Sequence, residues 1–305
     1  MSASRYVLAL DFGGTKLTAA VVNVATGEIL SPVRTATPAA AGALACLDAM
    51  ATAGRESLRR QPAAAVAGIG VSFGGPVSRD RRTVLRSMHV AEWDGFDLPA
   101  RLSAAFGLPA AMDNDGNAAA LGEWRFGAGR GTRNMLYVQV STGVGAGIIA
   151  DGRVYRGGGL AAELGHLTVL PDGPACTCGK AGCVESLAAG WAIARDGRAA
   201  FGDAGMEAAQ VVAAAAAGDG RGQAILDRAF TCLALGIANA VTLLDPGLVV
   251  IGGGLARAEA AMRRVVEPAL ARFLPPIFRD RCRLAFSHLA GAETLVGAAL
   301  LVEGE

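Results

Sequence analysis

YVLALDFGGTKLTAAVVNV, residues 6–24, reads as a strand, a tight turn and a returning strand. Tyr6 to Asp11 is a short apolar run that stops at Gly13-Gly14-Thr15-Lys16, and Leu17 to Val24 resumes the β-favouring pattern before the turn signal Thr26-Gly27-Glu28. The same plan returns later. Met135 to Ser141 reads as a strand, Thr142 to Gly147 as a glycine loop, Ile148 to Ala150 as the return and Asp151-Gly152 as a turn. Two halves built on one plan are expected. Around the hairpins, Ala39 to Arg60 is helical in character, Val66 to Ser72 strand-like and Asn117 to Arg125 a helix. Helices are also expected at Met206 to Ala217, where alanine favours them, at Ala224 to Leu244, at Ala256 to Phe273 and at Gly291 to Leu301, with a buried strand at Leu248 to Ile251. Strands and helices mixed on this scale indicate α/β layers with a crevice between two halves.

A chain of 305 residues, 52% hydrophobic and 18% charged, is long enough for two domains with large cores and too apolar for disorder. A formal net charge of +1 and the lack of a dense Lys/Arg block give no reason to expect nucleic acid or an acidic surface as partner. Arg79 to Arg82 reads as a solvated loop. The opening MSASRYVLALDFGG lacks a basic segment followed by an apolar stretch and a cleavage site, so a cytoplasmic protein is expected. Thr231 to Leu255 is apolar enough to suggest a membrane span, but Asn239, Asp245-Pro246 and Gly252 to Gly254 interrupt it, and no membrane association is expected.

Several stretches could carry chemistry. Asp11 to Lys16 follows a strand directly, where Gly13 and Gly14 let backbone N–H groups approach a phosphate and Thr15 and Lys16 can supplement them. It lacks the Walker spacing, and a Gly-Gly turn taken alone is more often a plain hairpin. Thr142 to Gly147 strengthens the phosphate reading as a second such loop, and Gly252 to Gly254 is a third point of close approach at a strand end. Asp113-Asn114-Asp115 precedes a helix. One such residue suffices for an N-cap; three leave a carboxylate that could take a proton from a substrate hydroxyl.

His166, Cys176, Cys178 and Cys183 form a Cys3His set of the kind that binds structural zinc in a closed tetrahedron. Disulfides are the competing reading, weakened by the missing export signal and by the single residue between Cys176 and Cys178. Gly173, Gly179 and Gly182 supply bends for so short a ligand loop. A closed site leaves no open position for substrate, so the metal's work would be structural: it would orient Glu163 and Glu185 as hydrogen-bond acceptors for a polyhydroxylated ligand. Cys46, Cys232 and Cys282 read as ordinary buried cysteines.

Taken together, these residues resemble the ROK (repressor, open reading frame, kinase) family, its zinc-containing bacterial glucokinases in particular. The resemblance runs from Asp11 to the C-terminal helix and is most specific at Glu163-Leu-Gly-His166 and Cys176-x-Cys178-Gly-x-x-Gly-Cys183-x-Glu185, after the glycine-rich Ser141 to Gly147. It implies an actin-like, hexokinase-type fold of two α/β domains with a central cleft: an N-terminal domain over 1–116, joined by the C-terminal helix 290–305, and a larger C-terminal domain over 117–289 with the zinc loop 166–185. It implies ATP-dependent phosphorylation of a hexose 6-hydroxyl, glucose first and fructose, mannose or an N-acetylhexosamine behind it, with ATP, Mg2+ and structural Zn2+. Asp115 looks like the catalytic base; Gly75, Asn114, Glu163, His166 and Glu185 look like sugar ligands, His166 serving zinc with its other ring nitrogen. Asp11, Gly13, Gly14, Thr15 and Lys16 match the first phosphate loop, Thr142 and Gly143 the second, and Gly253 and Gly254 the nucleoside side. Family repressors carry a helix-turn-helix domain ahead of this core; strand one begins here by Tyr6, so that role is not expected, and a sugar sensor without turnover is disfavoured by Asp115. Ser78 stands where the family often has Asp, and Ser87-Met-His-Val90 replaces a Pro-Asn-Leu type of segment. A homodimer or homotetramer is implied.

Overall fold

The computed structural model describes residues 6–61, 65–87 and 90–303. Met88 and His89, part of the departure from the family segment before Trp93, lie outside the described residues, as do the last two positions of the expected 290–305 helix.

The quoted stretch forms β1 (Tyr6–Phe12) and β2 (Lys16–Asn23), paired antiparallel from Tyr6↔Asn23 to Phe12↔Leu17. β3 (Ile29–Ala36) flanks β2, and α1 (Gly42–Arg59) leads to β4 (Val66–Phe73). α2 (Leu98–Phe106), β5 (Ala110–Asn114) and α3 (Asp115–Phe126) follow. The first sheet is ordered β3-β2-β1-β4-β5, with β4 parallel to both β1 and β5. The chain then repeats the plan. β6 (Met135–Val140), β7 (Val144–Ala150) and β8 (Arg153–Val154) form the second meander. α4 (Val184–Ala188), α5 (Gly190–Phe201), α6 (Ala208–Ala216) and α7 (Gly220–Leu244) separate it from β9 (Leu248–Gly252). α8 (Glu259–Phe273), α9 (Pro276–Arg279), β10 (Arg283–Phe286) and α10 (Glu293–Leu300) complete the chain. The second sheet is ordered β10-β9-β6-β7-β8, so each strand of one sheet has its counterpart in the other. This is the duplicated α/β plan of an actin-like fold.

Contacts gather the chain into two units, residues 1–131 with 147–161 and 292–305, and residues 132–146 with 162–291. In the first unit, Leu8, Leu10, Ile69, Val71 and Met112 cover one face of the sheet and bury against Cys46 and Met50 of α1 and Leu98 and Leu102 of α2. Phe12, Phe73, Trp93 and Phe96 extend that core toward the carboxyl ends of the strands; Trp93 packs edge-on against Phe12 at 5.7 Å and Phe73 at 5.3 Å. α10 closes against the same unit, where glycine is required. A Cβ on Gly70 would stand 1.8 Å from the Ala298 carbonyl oxygen, and one on Gly297 would stand 1.6 Å from that of Ala118 in α3.

In the second unit, α7 buries Ile225, Leu226, Ala229, Phe230, Leu233, Ile237 and Val241, the three-and-four spacing of one helix face. It is long and apolar enough to cross a membrane, yet 61% of its most apolar window is buried within the protein. Asp245 ends it in the left-handed conformation (φ 44°) just before Pro246, and Asn239 lies on its exposed side. A core helix accounts for the pattern.

Several elements differ from expectation. α3 begins at Asp115 rather than Asn117, because Asn114 supplies the cap. The second glycine stretch is strand from Val144 onward, so its loop shrinks to Ser141–Gly143. Gly147 is there for packing: a Cβ would stand 2.3 Å from the Gly116 carbonyl oxygen.

Candidate active site

In the first unit, three parallel neighbours bring their ends together. The pairing register sets Asp11 beside Ser72 and Ser72 beside Asp113, then Phe12 beside Phe73 and Phe73 beside Asn114. Carboxyl ends of such strands are where α/β sheets bind ligands. Ser72 Oγ donates to Asp11 Oδ1 at 2.8 Å. Burial pushes the Asp11 carboxyl up, against the lowering effect of hydroxyl donors Ser72 and Thr294 and of Lys16; Glu293 adds to the rise. The turn after Asp11 is closed by Gly13 N–H donating to Lys16 O (3.1 Å), and Thr37 Oγ1 donates to Gly13 O (2.7 Å). Thr15 and Lys16 are exposed. A small pocket opens beside Gly13 and Gly14, floored by Phe12, Phe73 and Trp93.

Asp115 stands in the same row. Asn114 is extended (φ −60°, ψ 148°), and its Oδ1 accepts the N–H groups of Gly116 (2.9 Å) and Asn117 (3.4 Å), which caps α3. Its Nδ2 donates to Gly75 O at 3.0 Å and to Asp115 Oδ1 at 3.1 Å. The half-buried Asp115 is thus the first helical residue, where helix N–H groups favour negative charge. A Cβ on Gly74 would stand 3.9 Å from Asp115 Oδ2 and a tight 3.0 Å from Phe12 O, so the bare glycine eases the approach of these strand ends. Asp11, Gly13, Gly14, Gly75, Asn114 and Asp115 therefore come together within this unit. Ser78 is committed locally: its Oγ donates to Asp80 Oδ1 (2.6 Å) and accepts the N–H of Thr83 (2.9 Å), turning the chain.

The second unit holds the other group. His166, Cys176, Cys178 and Cys183 place four ligand atoms within 4.8 Å of one another, and all six cysteines are free. The donor set fits zinc. Around an ion about 2.3 Å from sulfur and about 2.0 Å from nitrogen, tetrahedral geometry sets neighbouring ligand atoms ~3.8 Å apart for two sulfurs and ~3.5 Å for sulfur and nitrogen. Cys178 Sγ and Cys183 Sγ are 3.7 Å apart, as are Cys176 Sγ and His166 Nδ1. Burial pushes the Cys176 thiol up and that of Cys183 to about 12. At Cys178 burial acts the same way, but the Lys180 N–H and the neighbouring thiols outweigh it and hold the thiol below its usual value. Thiols so placed ionise when a cation joins them. The loop folds on Gly179 (φ 92°) and Gly182 (φ 66°); at Gly182 a Cβ would stand 1.5 Å from Leu170 O.

Nδ1 of His166 faces the cysteines, and Nε2 faces the other way, 3.9 Å from Glu163 Oε2. Burial pushes the Glu163 carboxyl up; His166 opposes this and Glu185 reinforces it, so the two carboxylates feel one another. Glu185 Oε2 accepts the Val144 N–H at 3.1 Å, and a Cβ on Gly143 would reach within 2.7 Å of that oxygen. The Thr142–Gly143 turn therefore rests against Glu185. Gly253 (φ 86°) lies against the Val140 carbonyl, 2.6 Å from a would-be Cβ, and Gly254 approaches Ser141 Oγ. Glu163, His166, Glu185, Thr142, Gly143, Gly253 and Gly254 are thus gathered at the ends of β6 and β9.

Sequence reasoning missed two groups. Arg156 forks the fully buried Asp113 from 43 residues away, with no local pattern to announce it. Glu293, at 2% exposure, starts α10 close enough to Asp11 to affect it.

The sequence pattern of the ROK family is matched across residues 7–305. The chain is 34% identical to a glucokinase of Streptomyces coelicolor, over 96% of each. It is 35% identical to an N-acetylmannosamine kinase of Shigella flexneri, over 98% of this chain and 99% of that one. Among solved structures, a ROK family glucokinase from Streptomyces griseus in complex with glucose and AMPPNP superposes with a TM-score of 0.88 at 31% identity, covering 98% of this chain and all of that one. With a pattern that spans nearly its whole length and relatives that match it end to end, the chain belongs to the ROK family.

Proposed function

We propose that this protein is an ATP-dependent hexose kinase that phosphorylates the sugar's 6-hydroxyl, with glucose as the favoured substrate. The observation that carries this reading is the placement of Asp115 at the first position of α3, in one row of strand ends with Asp11 and the Gly13–Gly14 turn. A carboxylate there can orient and deprotonate an alcohol, and backbone N–H groups of a glycine turn can steady the phosphoryl group being transferred. Asn114 and Gly75, joined by a hydrogen bond, present further polar groups to the sugar. In the second unit, Glu163 and Glu185 supply acceptors for sugar hydroxyls and His166, with Nδ1 on the metal, a donor at Nε2, while Thr142, Gly143, Gly253 and Gly254 offer backbone to the nucleotide. Asp11, partly buried beside Lys16, is the carboxylate suited to hold Mg2+, which neutralises phosphate charge when bound. Zinc on His166 and the three cysteines would brace the loop that carries Glu185 and need touch no substrate.

Glucose is favoured because a glucokinase is among the relatives and a glucose complex among the structural neighbours; an N-acetylmannosamine kinase at 35% identity makes the N-acetylhexosamine reading the second one. A coupled assay with ATP against glucose, mannose, fructose, N-acetylglucosamine and N-acetylmannosamine, repeated with polyphosphate as donor, decides among them. The expected outcome is glucose with the highest kcat/KM. Turnover of an N-acetylhexosamine alone overturns the glucose assignment, and turnover of none overturns the kinase in favour of a sensor.

A further inference from the structure

We infer that Arg156 is a positioning residue for this reaction, fixing the Asn114–Asp115 turn through the buried carboxylate of Asp113; the inference rests on the kinase reading above. Asp113 has no exposed surface, yet it is a carboxylate, so it needs partners for both oxygens. Oδ2 accepts two hydrogen bonds from one guanidinium, from Arg156 Nε at 2.7 Å and Nη2 at 2.6 Å. Oδ1 accepts the backbone N–H of Asn114 at 2.8 Å and Asn117 Nδ2 at 2.9 Å. The first fixes the peptide entering Asn114, and the second fixes the first turn of α3. Asp115 lies between them and can turn with neither.

Arg156 is itself held. Its Nη1 donates to Val154 O at 3.3 Å, and its carbonyl oxygen accepts the N–H groups of Gly159 (2.7 Å) and Ala161 (3.3 Å). Gly159 (φ 118°) lies so close to Arg79 that a Cβ would stand 3.2 Å from its backbone nitrogen. The segment from β8, whose Val154 is buried, to Ala161 is therefore a pinned strap from which the Arg156 side chain clamps the end of β5. The Arg156 side chain is 18% exposed, which leaves the ion pair largely shielded from solvent. Catalytic groups need support of this kind, because a displacement of about 1 Å can cost on the order of 10²-fold in rate.

The test compares Arg156→Met, Arg156→Lys and the paired Asp113→Asn/Arg156→Met, each also in an Asp115→Asn background. Arg156→Met is expected to lower kcat by about 10²-fold and raise the sugar KM, while the ATP KM stays within about twofold. Arg156→Lys keeps the charge without the fork and recovers part of the loss. In the Asp115→Asn background, Arg156→Met should change the residual rate by less than about threefold, since groups acting as one unit are not additive. An equal loss in both backgrounds, or wild-type kcat in Arg156→Met, overturns the inference and leaves a stabilising ion pair. If Arg156→Met does not fold, the paired variant, which strands no charge, takes its place with the same two outcomes. A wild-type protein that phosphorylates no sugar counts against the kinase reading instead; calorimetric sugar binding then tests the clamp, with loss of affinity in the paired variant expected and unchanged affinity overturning it.

Discussion

Replacing Cys178 with serine tests the proposed zinc brace and its link to the sugar. Four ligand atoms within 4.8 Å of one another, with two separations of 3.7 Å, are compatible with a zinc tetrahedron. Losing one thiolate removes a quarter of the ligands and leaves Cys176 and Cys183 as buried thiols. Structural zinc contributes about 10–16 kcal/mol of apparent binding free energy in small domains, so a three-ligand site should lose the ion to a modest chelator. What then loosens is the short loop that ends at Cys183, two residues before Glu185, and the ring of His166. Each loses the restraint that aims one charged or imidazole group. A hydrogen bond to a charged group is worth about 1.5–3 kcal/mol, so forfeiting one such bond raises the sugar KM by roughly 10- to 10²-fold. Because the Thr142–Gly143 turn rests against Glu185, the ATP KM should rise as well, by less than the sugar KM since the Gly13–Gly14 turn lies in the other unit. Elemental analysis gives the metal content and calorimetry the sugar affinity. A metal-free Cys178→Ser protein that binds sugar as the wild type does would refute the brace. So would chelator-free wild type with no zinc.

Two further outcomes follow from the first unit. Burial raises the Asp11 carboxyl above its unfolded value near 3.8, so its ionisation works against the fold: its contribution is fully present below that pH and is lost as pH rises through the raised value. Asp11→Asn should therefore abolish turnover yet melt higher than wild type at pH 7, the gap closing toward pH 4; a lower Tm at pH 7 contradicts the assignment. Gly70→Ala would set a Cβ 1.8 Å from the Ala298 carbonyl oxygen and force α10 off the sheet. Overpacking of about 1–3 kcal/mol lowers Tm by roughly 3–10 °C, and an unchanged Tm means that α10 does not seat there.

Local sequence carried the hairpins, the Asp11–Lys16 turn and the clustering of His166 with Cys176, Cys178 and Cys183, because each is encoded locally by strand periodicity, glycine or residue spacing. Pairings across the sheet were invisible to it. Arg156 precedes three glycines and reads as an ordinary surface residue, and only the fold brings it to Asp113. β3 was overlooked because Pro32 and a positive φ at Ser31 interrupt its pattern, which an edge strand tolerates. In the second glycine stretch, the same residue type served two ends: Gly143 sits in a turn against Glu185, and Gly147 gives α3 room to pack. Spacing alone could not separate them. Glu293 was hidden for a similar reason, since an acidic residue opening a helix is ordinary and its nearness to Asp11 depends on α10 returning to the first sheet.

The most direct measurement is single-turnover phosphorylation by Asp115→Asn with saturating glucose and Mg-ATP, set beside its glucose affinity. A general base in this position contributes about 10²–10⁴-fold, so turnover should fall by at least two orders of magnitude with Tm and glucose binding retained. A rate within a few-fold of wild type, from a folded protein that binds glucose, would contradict the role assigned to Asp115 and the mechanism built on it.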